Sequence, residues 1–309
     1  MEKIFIITAG AVKKGLSFGH FFRSIELNNY LKKKFQIFFL ITHPNKKVAN
    51  YLRDKKINFK FINKNSINKF LRNKNFKYLV VDLPNPNLKI NHNKSKLIIF
   101  DEFLRFKGNC NYYLTTNIFK KLKKKYLNYH QNISFRFFKF LNKKIKKRAK
   151  IKKIKNILIL TGGSDLMNIN KTVTKKILKE KLLKYDFYFV VPFSKNNNNF
   201  SPQKNIKFIN YNSAFNRINM FDLAITNGGN SMFEMIFLKI PCLCFSTNIL
   251  ERLNIDYFQK TKMVLKFKKN QSLESQINFF SSLKNFNSKF KTIFKKNENL
   301  KKILCNIFI

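Results

Sequence analysis

Short, nearly continuous apolar stretches alternate with longer amphipathic stretches along the first half of the chain. Strands that are covered by helices on both faces have this near-continuous apolar composition. The alternation therefore predicts βαβ units and a parallel sheet. The predicted strands are 3–10, 36–43, 59–63, 78–84, 96–103 and 111–117, and the predicted helices between them include 20–33, 46–54 and 66–72.

The pattern changes at 118–155, where the lysine clusters KKLKKK and KKIKKRAKIKKIK surround an aromatic segment. We interpret this stretch as helices that connect two domains, with the lysines on solvated faces. The alternation then restarts, which predicts two α/β domains, 1–150 and 151–309, within the 309 residues. The predicted strands of the second domain are 156–164, 186–194, 206–212, 221–229 and 240–246, and its predicted helices are 170–183, 213–220, 230–239, 249–260, 271–283 and 286–305.

The chain carries a net charge of +48, from 63 Lys and Arg against 15 Asp and Glu. Such a charge suggests nucleic acid or an anionic membrane surface as a partner. Lys, Asn, Ile and Phe are frequent while Gly, Pro and Trp are scarce, which is also the pattern of A/T-rich codons, and the basic residues are spread along the chain. We favour the codon explanation and expect no nucleic-acid partner, although the positive field would attract an anionic substrate.

The remaining composition excludes several classes of protein. The four cysteines form no C-x-x-C pair, which favours free thiols in a reducing compartment. The four histidines lack metal-ligand spacing, so we expect neither a metal nor another cofactor. No apolar run approaches the about 20 residues that cross a bilayer, and the first residues lack the features of a signal peptide. We therefore expect a cytoplasmic protein without membrane insertion.

The first candidate loop is TAGAVKKGLSFGH, which follows the first strand. Ligands of open α/β sheets bind at the carboxyl ends of the strands, and Gly15 and Gly19 would let the backbone approach a ligand there. His20 would stand at the start of a helix, facing a cleft between the domains, where the positive helix end disfavours a charged imidazole. A neutral imidazole can act as a general base. Spacing alone, however, favours a packing or capping role for His20.

Two more loops fall at predicted strand ends in the second domain. In LTGGSDLMN, the turn at Gly162 and Gly163 either binds phosphate through its amides or is an ordinary tight turn. In TNGGNSMFE, the Asn227–Gly228–Gly229 bend and the helix that starts at Asn230 and Ser231 offer a diphosphate site, with Glu234 placed to accept the hydroxyls of a ribose. The alternative is a capped helix in which Glu234 interacts with the helix dipole.

The three loops together resemble a known family. The elements G-x-x-x-G-H-x-x-R at 15–23, L-x-G-G-x-D at 160–165 and D-L-A-I-T-x-G-G-x-S-x-x-E at 222–234 occur in the order found in the UDP-sugar hydrolases of the pseudaminic acid pathway. These enzymes are related to the lipid-II-forming N-acetylglucosaminyltransferase. The resemblance implies the glycosyltransferase-B fold: two Rossmann-like α/β domains with a cleft between them.

The resemblance also implies roles for individual residues. His20 matches the histidine that activates the attacking water, and Glu234 matches the acidic residue that binds the ribose. Asn210 and Tyr211 fall where the backbone of the family touches uracil, and Asp101 matches an aspartate at a strand end whose role is open. The loops that hold the diphosphate are matched by Gly162, Gly163, Gly228, Gly229 and Ser231. The other residues that we expect to bind the substrate are Gly15, Gly19, Asn227, Asn230 and Asn248.

The resemblance implies hydrolysis of a UDP-linked amino sugar with inversion at the anomeric carbon. The chain departs from the family at Thr8–Gly10, in the wide spacing of Gly15 and Gly19, and at Ile249, where the family tends to have glutamine. These positions face the sugar or its phosphates, so the sugar stays open. An inverting UDP-sugar glycosyltransferase is the first alternative, and a non-catalytic protein that binds a UDP-sugar or nucleic acid is the second.

Overall fold

The computed structural model describes residues 1–10, 18–90, 95–117, 119, 126, 128–131, 153–162, 165, 167–191, 204–282 and 299–308. The chain divides into two compact units. Unit 1 comprises Met1–Lys143 with Lys295–Ile309, and unit 2 comprises Lys144–Phe294. The division near residue 143 lies close to the predicted boundary. The end of the chain differs from the predicted range 151–309, because the last helix packs on unit 1: the Phe308 ring lies 5.1 Å from that of Tyr78.

Unit 1 is built on a seven-stranded sheet in which all paired neighbours are parallel. Its order is β3-β2-β1-β4-β5-β6-β7. Strands β1 and β4 are buried along nearly their whole length, as their continuous apolar sequences predict. The strands are β1 (Lys3–Thr8), β2 (Gln36–Ile41), β3 (Asn58–Phe61), β4 (Tyr78–Asp82), β5 (Lys96–Phe100), β6 (Tyr112–Thr115) and β7 (Tyr129–Gln131).

The described helices of unit 1 are α1 (Gly19–Leu31), α2 (Lys46–Asp54), α3 (Ile67–Leu71) and, at the end of the chain, α9 (Asn299–Phe308), with a 3₁₀ turn at Lys64–Ser66. Asn45 caps α2, since its side chain accepts hydrogen bonds from the amides of Lys47 and Val48. Helix α1 buries Phe21 and Leu27, and the fully buried Phe18 precedes it. These aromatic residues fix the start of α1, where His20 lies.

Unit 2 repeats the plan with a six-stranded parallel sheet of order β10-β9-β8-β11-β12-β13. The strands are β8 (Asn156–Leu160), β9 (Asp186–Val190), β10 (Ile206–Ile209), β11 (Leu223–Asn227), β12 (Cys242–Phe245) and β13 (Val264–Lys266). The described helices are α4 (Ile169–Lys179), α5 (Tyr211–Asn216), α6 (Asn230–Phe237), α7 (Ile249–Gln259) and α8 (Leu273–Ser281), with a 3₁₀ turn at Ile218–Met220. Leu273, Ile277 and Phe280 place the apolar face of α8 in the core, as the helical spacing predicts.

Each sheet has one point where the strand order reverses. It lies between β1 and β4 in unit 1 and between β8 and β11 in unit 2. Connections leave in opposite directions at such a point and open a crevice at the carboxyl ends of the two strands, where α/β proteins bind ligands. Thr8 and Asp82 end the two strands of unit 1, and Leu160 and Asn227 end those of unit 2. Candidate site residues therefore converge at one position in each sheet.

The predicted fold class is confirmed: both units are parallel α/β sheets of the Rossmann-like type. All eleven predicted strands are present, while β7 and β13 were not predicted. Most of the predicted connecting segment 118–155, and most of the predicted final helix 286–305, lies outside the described residues. Within the connecting segment, Tyr129–Gln131 is strand β7 and not a helix, because it pairs with the edge of the sheet at β6. None of the helices that the structure describes is long and apolar enough to cross a membrane.

Candidate functional site

His20 is the second residue of α1 and is only 6% exposed. Its Nδ1 lies 2.7 Å from Oδ1 of Asp82, the last residue of β4. Asp82 is 1% exposed, and its ionised carboxylate can only accept hydrogen bonds, so the network assigns the Nδ1 proton to His20. Nε2 then carries the free lone pair of the neutral ring. This is the tautomer that a histidine general base requires.

Arg23, one turn further along α1, holds the other side of Asp82. Its Nε donates to Oδ2 at 2.7 Å and its Nη2 donates to Oδ1 at 2.5 Å, which is a bidentate pair. Nη2 also lies 3.2 Å from His20 Nδ1, but both atoms are donors in this tautomer and both converge on Oδ1. Neither Arg23 nor Asp82 was assigned a chemical role from the sequence. Strand order brings the two together across 59 residues of sequence.

The cluster extends to Glu102, whose Oε1 accepts a hydrogen bond from Arg23 Nη1 at 2.5 Å. Burial alone would raise the pKa of Asp82, but the charge of Arg23 and the hydrogen bonds from Arg23 and His20 hold it below its usual value. Burial would likewise lower the pKa of Arg23, yet Asp82 and Glu102 raise it. One cation and two carboxylates leave a net negative charge while His20 is neutral, so a proton taken up by His20 balances the cluster.

Asp101, the residue whose role was open, shapes the loop after β5. Its carboxylate accepts hydrogen bonds from the amides of Phe103, Arg105 and Phe106 and from the hydroxyl of Tyr113, at 2.6 to 3.0 Å. Burial, followed by the negative charge of Asp101, raises the pKa of Tyr113. Asp101 is thus occupied by local contacts, and its position places the neighbouring Glu102 against Arg23.

The Gly228–Gly229 bend connects β11 to α6 at the reversal point of unit 2. A Cβ on Gly228 would lie 2.5 Å from the carbonyl oxygen of Glu251, so only glycine fits between β11 and α7. Gly229 occupies the cap position of α6, which places Asn230 and Ser231 in the first turn rather than at the cap. Amides at a helix start and the helix dipole favour a bound anion, and the diphosphate site at this bend stays a prediction. Glu234 is buried in the same helix.

The carboxylate of Glu251 in α7 holds this bend in place, although no sequence motif marks this residue. Its Oε1 accepts from Asn227 Nδ2 at 2.6 Å, and its Oε2 accepts from the amide and the hydroxyl of Thr247 at 2.7 and 2.8 Å. The side chain of Asn254 donates to the carbonyl oxygen of Gly228 at 2.8 Å. Helix α7 therefore holds the bend by side chains from two of its turns, in addition to close packing of its backbone.

The LTGGSDLMN loop contributes Gly162, whose φ of +80° is the left-handed conformation that favours glycine. An ideal Cβ on Gly162 would lie 3.9 Å from the side-chain amide of Asn227, so the two predicted loops meet at the reversal point. Asp165 accepts hydrogen bonds from the first amides of α4, at Ile169 and Asn170. Gly163 in this loop, and Gly15 in the first loop, lie outside the described residues.

The remaining predicted binding residues are found at helix starts. Asn210 caps α5 by accepting from the amide of Ser213 at 2.8 Å, and Asn248 caps α7 by accepting from the amide of Glu251 at 2.9 Å. Tyr211 is 43% exposed, with its ring 4.6 Å from that of Phe215. Gly19 begins α1 next to His20. Within the described residues no group of three or more His, Cys, Asp or Glu side chains is arranged to hold a metal.

The chain is similar to one curated protein in sequence and to solved structures in fold. No family model matches the chain. An uncharacterised protein of Methanocaldococcus jannaschii is 31% identical over 294 residues, covering 84% of this chain. The alignment covers 58% of that relative, so the chain spans little more than half of its length.

Three solved structures resemble the chain over almost its whole length. The UDP-GlcNAc 2-epimerase of Methanocaldococcus jannaschii, in complex with UDP-GlcNAc and UDP, has a TM-score of 0.58 at 15% identity and covers 98% of this chain and 99% of its own. S. aureus MnaA, solved with UDP, has a TM-score of 0.61 at 11% identity, with 100% and 98% coverage. The glycosyltransferase VinC, solved with dTDP, has a TM-score of 0.63 at 7% identity, with 98% coverage of both chains. These likenesses establish the fold: two Rossmann-like domains as in glycosyltransferase-B proteins.

Proposed function

We propose that the protein hydrolyses a UDP-linked amino sugar at the anomeric carbon with inversion. The product would be UDP and a free sugar for a nonulosonic acid of the pseudaminic type, used in a surface glycan. The observation that carries the proposal is the hydrogen bond between His20 Nδ1 and Asp82 Oδ1, because it prepares Nε2 as a base. The structural relatives, among them proteins solved with UDP or UDP-GlcNAc, support a nucleotide-sugar as the substrate class.

In the proposed reaction, the oxygen of a water molecule attacks the anomeric carbon from the face opposite the diphosphate. The bond from that carbon to the diphosphate oxygen breaks, and UDP leaves with the bonding electrons. One proton of the water passes to Nε2 of His20. Asp82 stabilises the imidazolium that forms, and the excess negative charge of the Arg23 cluster offsets its positive charge.

Unit 2 would bind the nucleotide. The backbone amides at Gly228 and Gly229 and the start of α6 would take the diphosphate and stabilise the charge that develops on UDP as it leaves. Glu234 would bind the ribose, and the backbone at Asn210 and Tyr211 would bind uracil. His20 belongs to unit 1, so the proposal requires one substrate molecule to reach residues of both units.

An inverting glycosyltransferase is the second candidate, and the similarity to VinC and other glycosyltransferases favours it. The chemistry of His20 would be the same, with an acceptor hydroxyl in place of water. The two candidates differ in one measurable respect. A hydrolase releases UDP without an acceptor, whereas a transferase releases UDP at a useful rate only when the acceptor is present.

The test is to incubate the full chain with UDP-2,4-diacetamido-2,4,6-trideoxy-β-L-altrose, without an acceptor, and to measure UDP. We expect rapid release by the wild type, with NMR showing an inverted anomeric centre in the first product. His20→Gln keeps a donor for Asp82 but removes the base, and His20→Ala removes both. Each should lower kcat by about 10²- to 10⁴-fold. Asp82→Asn should lower kcat with little effect on the affinity for UDP, because Asp82 would act through His20.

His130→Ala is the matched control, since His130 lies on the edge strand β7 of the same unit and should leave the rate unchanged. Full activity of both His20 variants would remove His20 from the mechanism. Release that depends on an added acceptor would establish the transferase. A wild type that neither binds UDP nor consumes any UDP-sugar would contradict both candidates.

A further inference from the structure

Two buried oxygen atoms lack a hydrogen-bond partner among the described residues at the reversal point of unit 2. They are Oγ1 of Thr161 and Oδ1 of Asn227. Thr161 follows β8 and is 6% exposed. Because Leu160 pairs with Thr226 across the two strands, the next residues, Thr161 and Asn227, are also neighbours. Buried polar atoms without a partner carry a free-energy cost, and such atoms in a native protein point to water or a ligand.

The Asn227 amide has only one orientation that the protein can satisfy. Glu251 Oε1 lies 2.6 Å from Nδ2 of Asn227 and accepts its hydrogen bond. Glu251 Oε2 is engaged with Thr247, so the carboxylate is held in place. Nδ2 must therefore face Glu251, and Oδ1 must face away from it, as an acceptor.

The Thr161 hydroxyl, unlike Asn227 Oδ1, can donate a hydrogen bond as well as accept one. A ligand hydroxyl satisfies both atoms, since its proton goes to Asn227 Oδ1 while its oxygen accepts from Thr161 Oγ1. A phosphate oxygen cannot, because it only accepts and would meet the lone pairs of Asn227 Oδ1. Gly162 lies beside this amide, since its ideal Cβ position is 3.9 Å from Asn227 Nδ2 and 4.0 Å from Asn227 Oδ1.

We propose that Thr161 and Asn227, with Asn227 oriented by Glu251, form a recognition site for a hydroxyl group of the bound ligand, next to the anion site of the Gly228–Gly229 bend. This inference rests on the proposed function for its ligand class, a UDP-sugar. The recognised hydroxyl then belongs either to the ribose or to the sugar. The site distinguishes a hydroxyl from a phosphate oxygen, and the glycine bend alone does not.

The test compares Thr161→Val, which removes the hydroxyl at nearly constant volume, with Thr161→Ser, which keeps it. The dissociation constants of UDP, 2′-deoxy-UDP, 3′-deoxy-UDP and a non-hydrolysable UDP-sugar analogue are measured by calorimetry. We expect Thr161→Val to bind the ligand that carries the recognised hydroxyl about three- to tenfold more weakly, and Thr161→Ser to bind it like the wild type. The penalty should vanish for the deoxy-UDP that lacks this hydroxyl.

The pattern of the penalty identifies its source. A penalty with UDP that one deoxy analogue abolishes assigns the hydroxyl to the ribose, and a penalty seen only with the UDP-sugar analogue assigns it to the sugar. Equal dissociation constants for Thr161→Val and the wild type with all four ligands would overturn the inference, leaving a buried water at this point. An equal penalty with all four ligands would also overturn it. If the wild type binds none of the four ligands, that result contradicts the proposed function itself.

Thr226→Val is the matched control. Thr226 precedes Asn227 in the chain, and its hydroxyl already donates a hydrogen bond to the carbonyl oxygen of Leu160 at 2.8 Å. Its removal should lower the urea midpoint of the free protein without a ligand-dependent penalty. Thr161→Val should leave the midpoint of the free protein unchanged or raise it, since it removes an unpartnered group. A midpoint lowered as much as in Thr226→Val would mean that the hydroxyl serves the fold rather than the ligand.

Discussion

At the scale of single residues, the decisive feature is a carboxylate that remains charged although it is buried. Asp82 is 1% exposed, and a lone ionised carboxylate would be costly at such a depth. Arg23 offsets that cost through two hydrogen bonds, and a third joins Arg23 to Glu102. Arg23 thus keeps the orienting partner of His20 ionised, although it does not itself need to touch a substrate. It is a positioning residue.

This arrangement makes the stability of unit 1 depend on pH. The pKa of Asp82 lies below its ordinary value of 3.8 in the folded protein, so its ionised form stabilises the fold above pH 3.8 and this contribution disappears as the pH falls further. We expect Asp82→Asn to lower the free energy of unfolding of unit 1 by about 3 kcal/mol near neutral pH. The difference from the wild type should narrow as the pH falls below 3.8.

Hydrogen exchange of the amides of β4 and α1 measures this difference, because both elements belong to unit 1 and are largely buried in it. Asp256→Asn, which removes an exposed carboxylate of α7 in the other unit, controls for the loss of one charge. A difference between the wild type and Asp82→Asn that widens as the pH falls below 3.8 would have the wrong sign for a depressed carboxyl pKa. It would show that Arg23 does not hold Asp82 in the charged form.

His20 and the glycine loops could be singled out from the sequence because they form compact motifs. Asp82 and Glu251 belong to no such motif. Asp82 is a single acid at the end of an apolar strand, 62 residues from His20, and only the placement of β4 beside β1 brings the two together. Glu251 lies 24 residues from Asn227 and meets it through the packing of α7. Contacts of this kind depend on strand order, which one sequence does not encode locally.

At the scale of elements, the loops after β8 and β11 each require a glycine, but for different physical reasons. Gly228 lacks a side chain because the α7 backbone occupies that space, 2.5 Å from the ideal Cβ position. Gly162 has room for a side chain but adopts a φ of +80°. The first constraint is steric and involves rigid backbone, whereas the second concerns only the conformation of one residue.

Alanine substitutions should separate these two constraints. Gly228→Ala must displace α7 or the bend, so we expect a loss of about 3 kcal/mol in the free energy of unfolding of unit 2 and weaker UDP binding. Gly162→Ala should cost about 1 kcal/mol, the penalty of a left-handed backbone. Urea unfolding and hydrogen exchange of β11 and α6 provide the measurement. Equal losses in the two variants would contradict the close approach of α7 to the bend.

The elements themselves were largely predictable, since continuous apolar stretches mark strands that helices cover on both faces. Strands β7 and β13 were not predicted because each has three residues, too few to show a hydrophobic pattern. The predicted helix 213–220 is instead the short α5 followed by a 3₁₀ turn at Ile218–Met220. The placement of α9 on unit 1 was also not predictable, because amphipathic spacing shows that a helix packs but not on which sheet.

At the scale of the whole molecule, the charge balance affects stability whatever its origin. With 63 basic and 15 acidic side chains, most lysines have no carboxylate available as a partner, and the compact state brings like charges together. Several of the acids are committed to internal contacts, among them Asp82, Asp101 and Glu251. Mutual repulsion of surface lysines should therefore oppose folding at low ionic strength.

We expect added salt to stabilise the protein, because the Debye length falls from about 30 Å at 10 mM to about 3 Å at 1 M and the repulsion is screened. The urea midpoint, followed by circular dichroism, should rise steadily from 10 mM to 1 M NaCl. A neutral osmolyte at equal osmolality serves as the control for effects unrelated to charge. Nucleic-acid binding has the opposite salt dependence, since the affinity for nucleic acid falls steeply as the salt concentration rises. A midpoint that falls with salt would mean that the basic residues are held in attractive pairs, and would contradict a surface governed by repulsion.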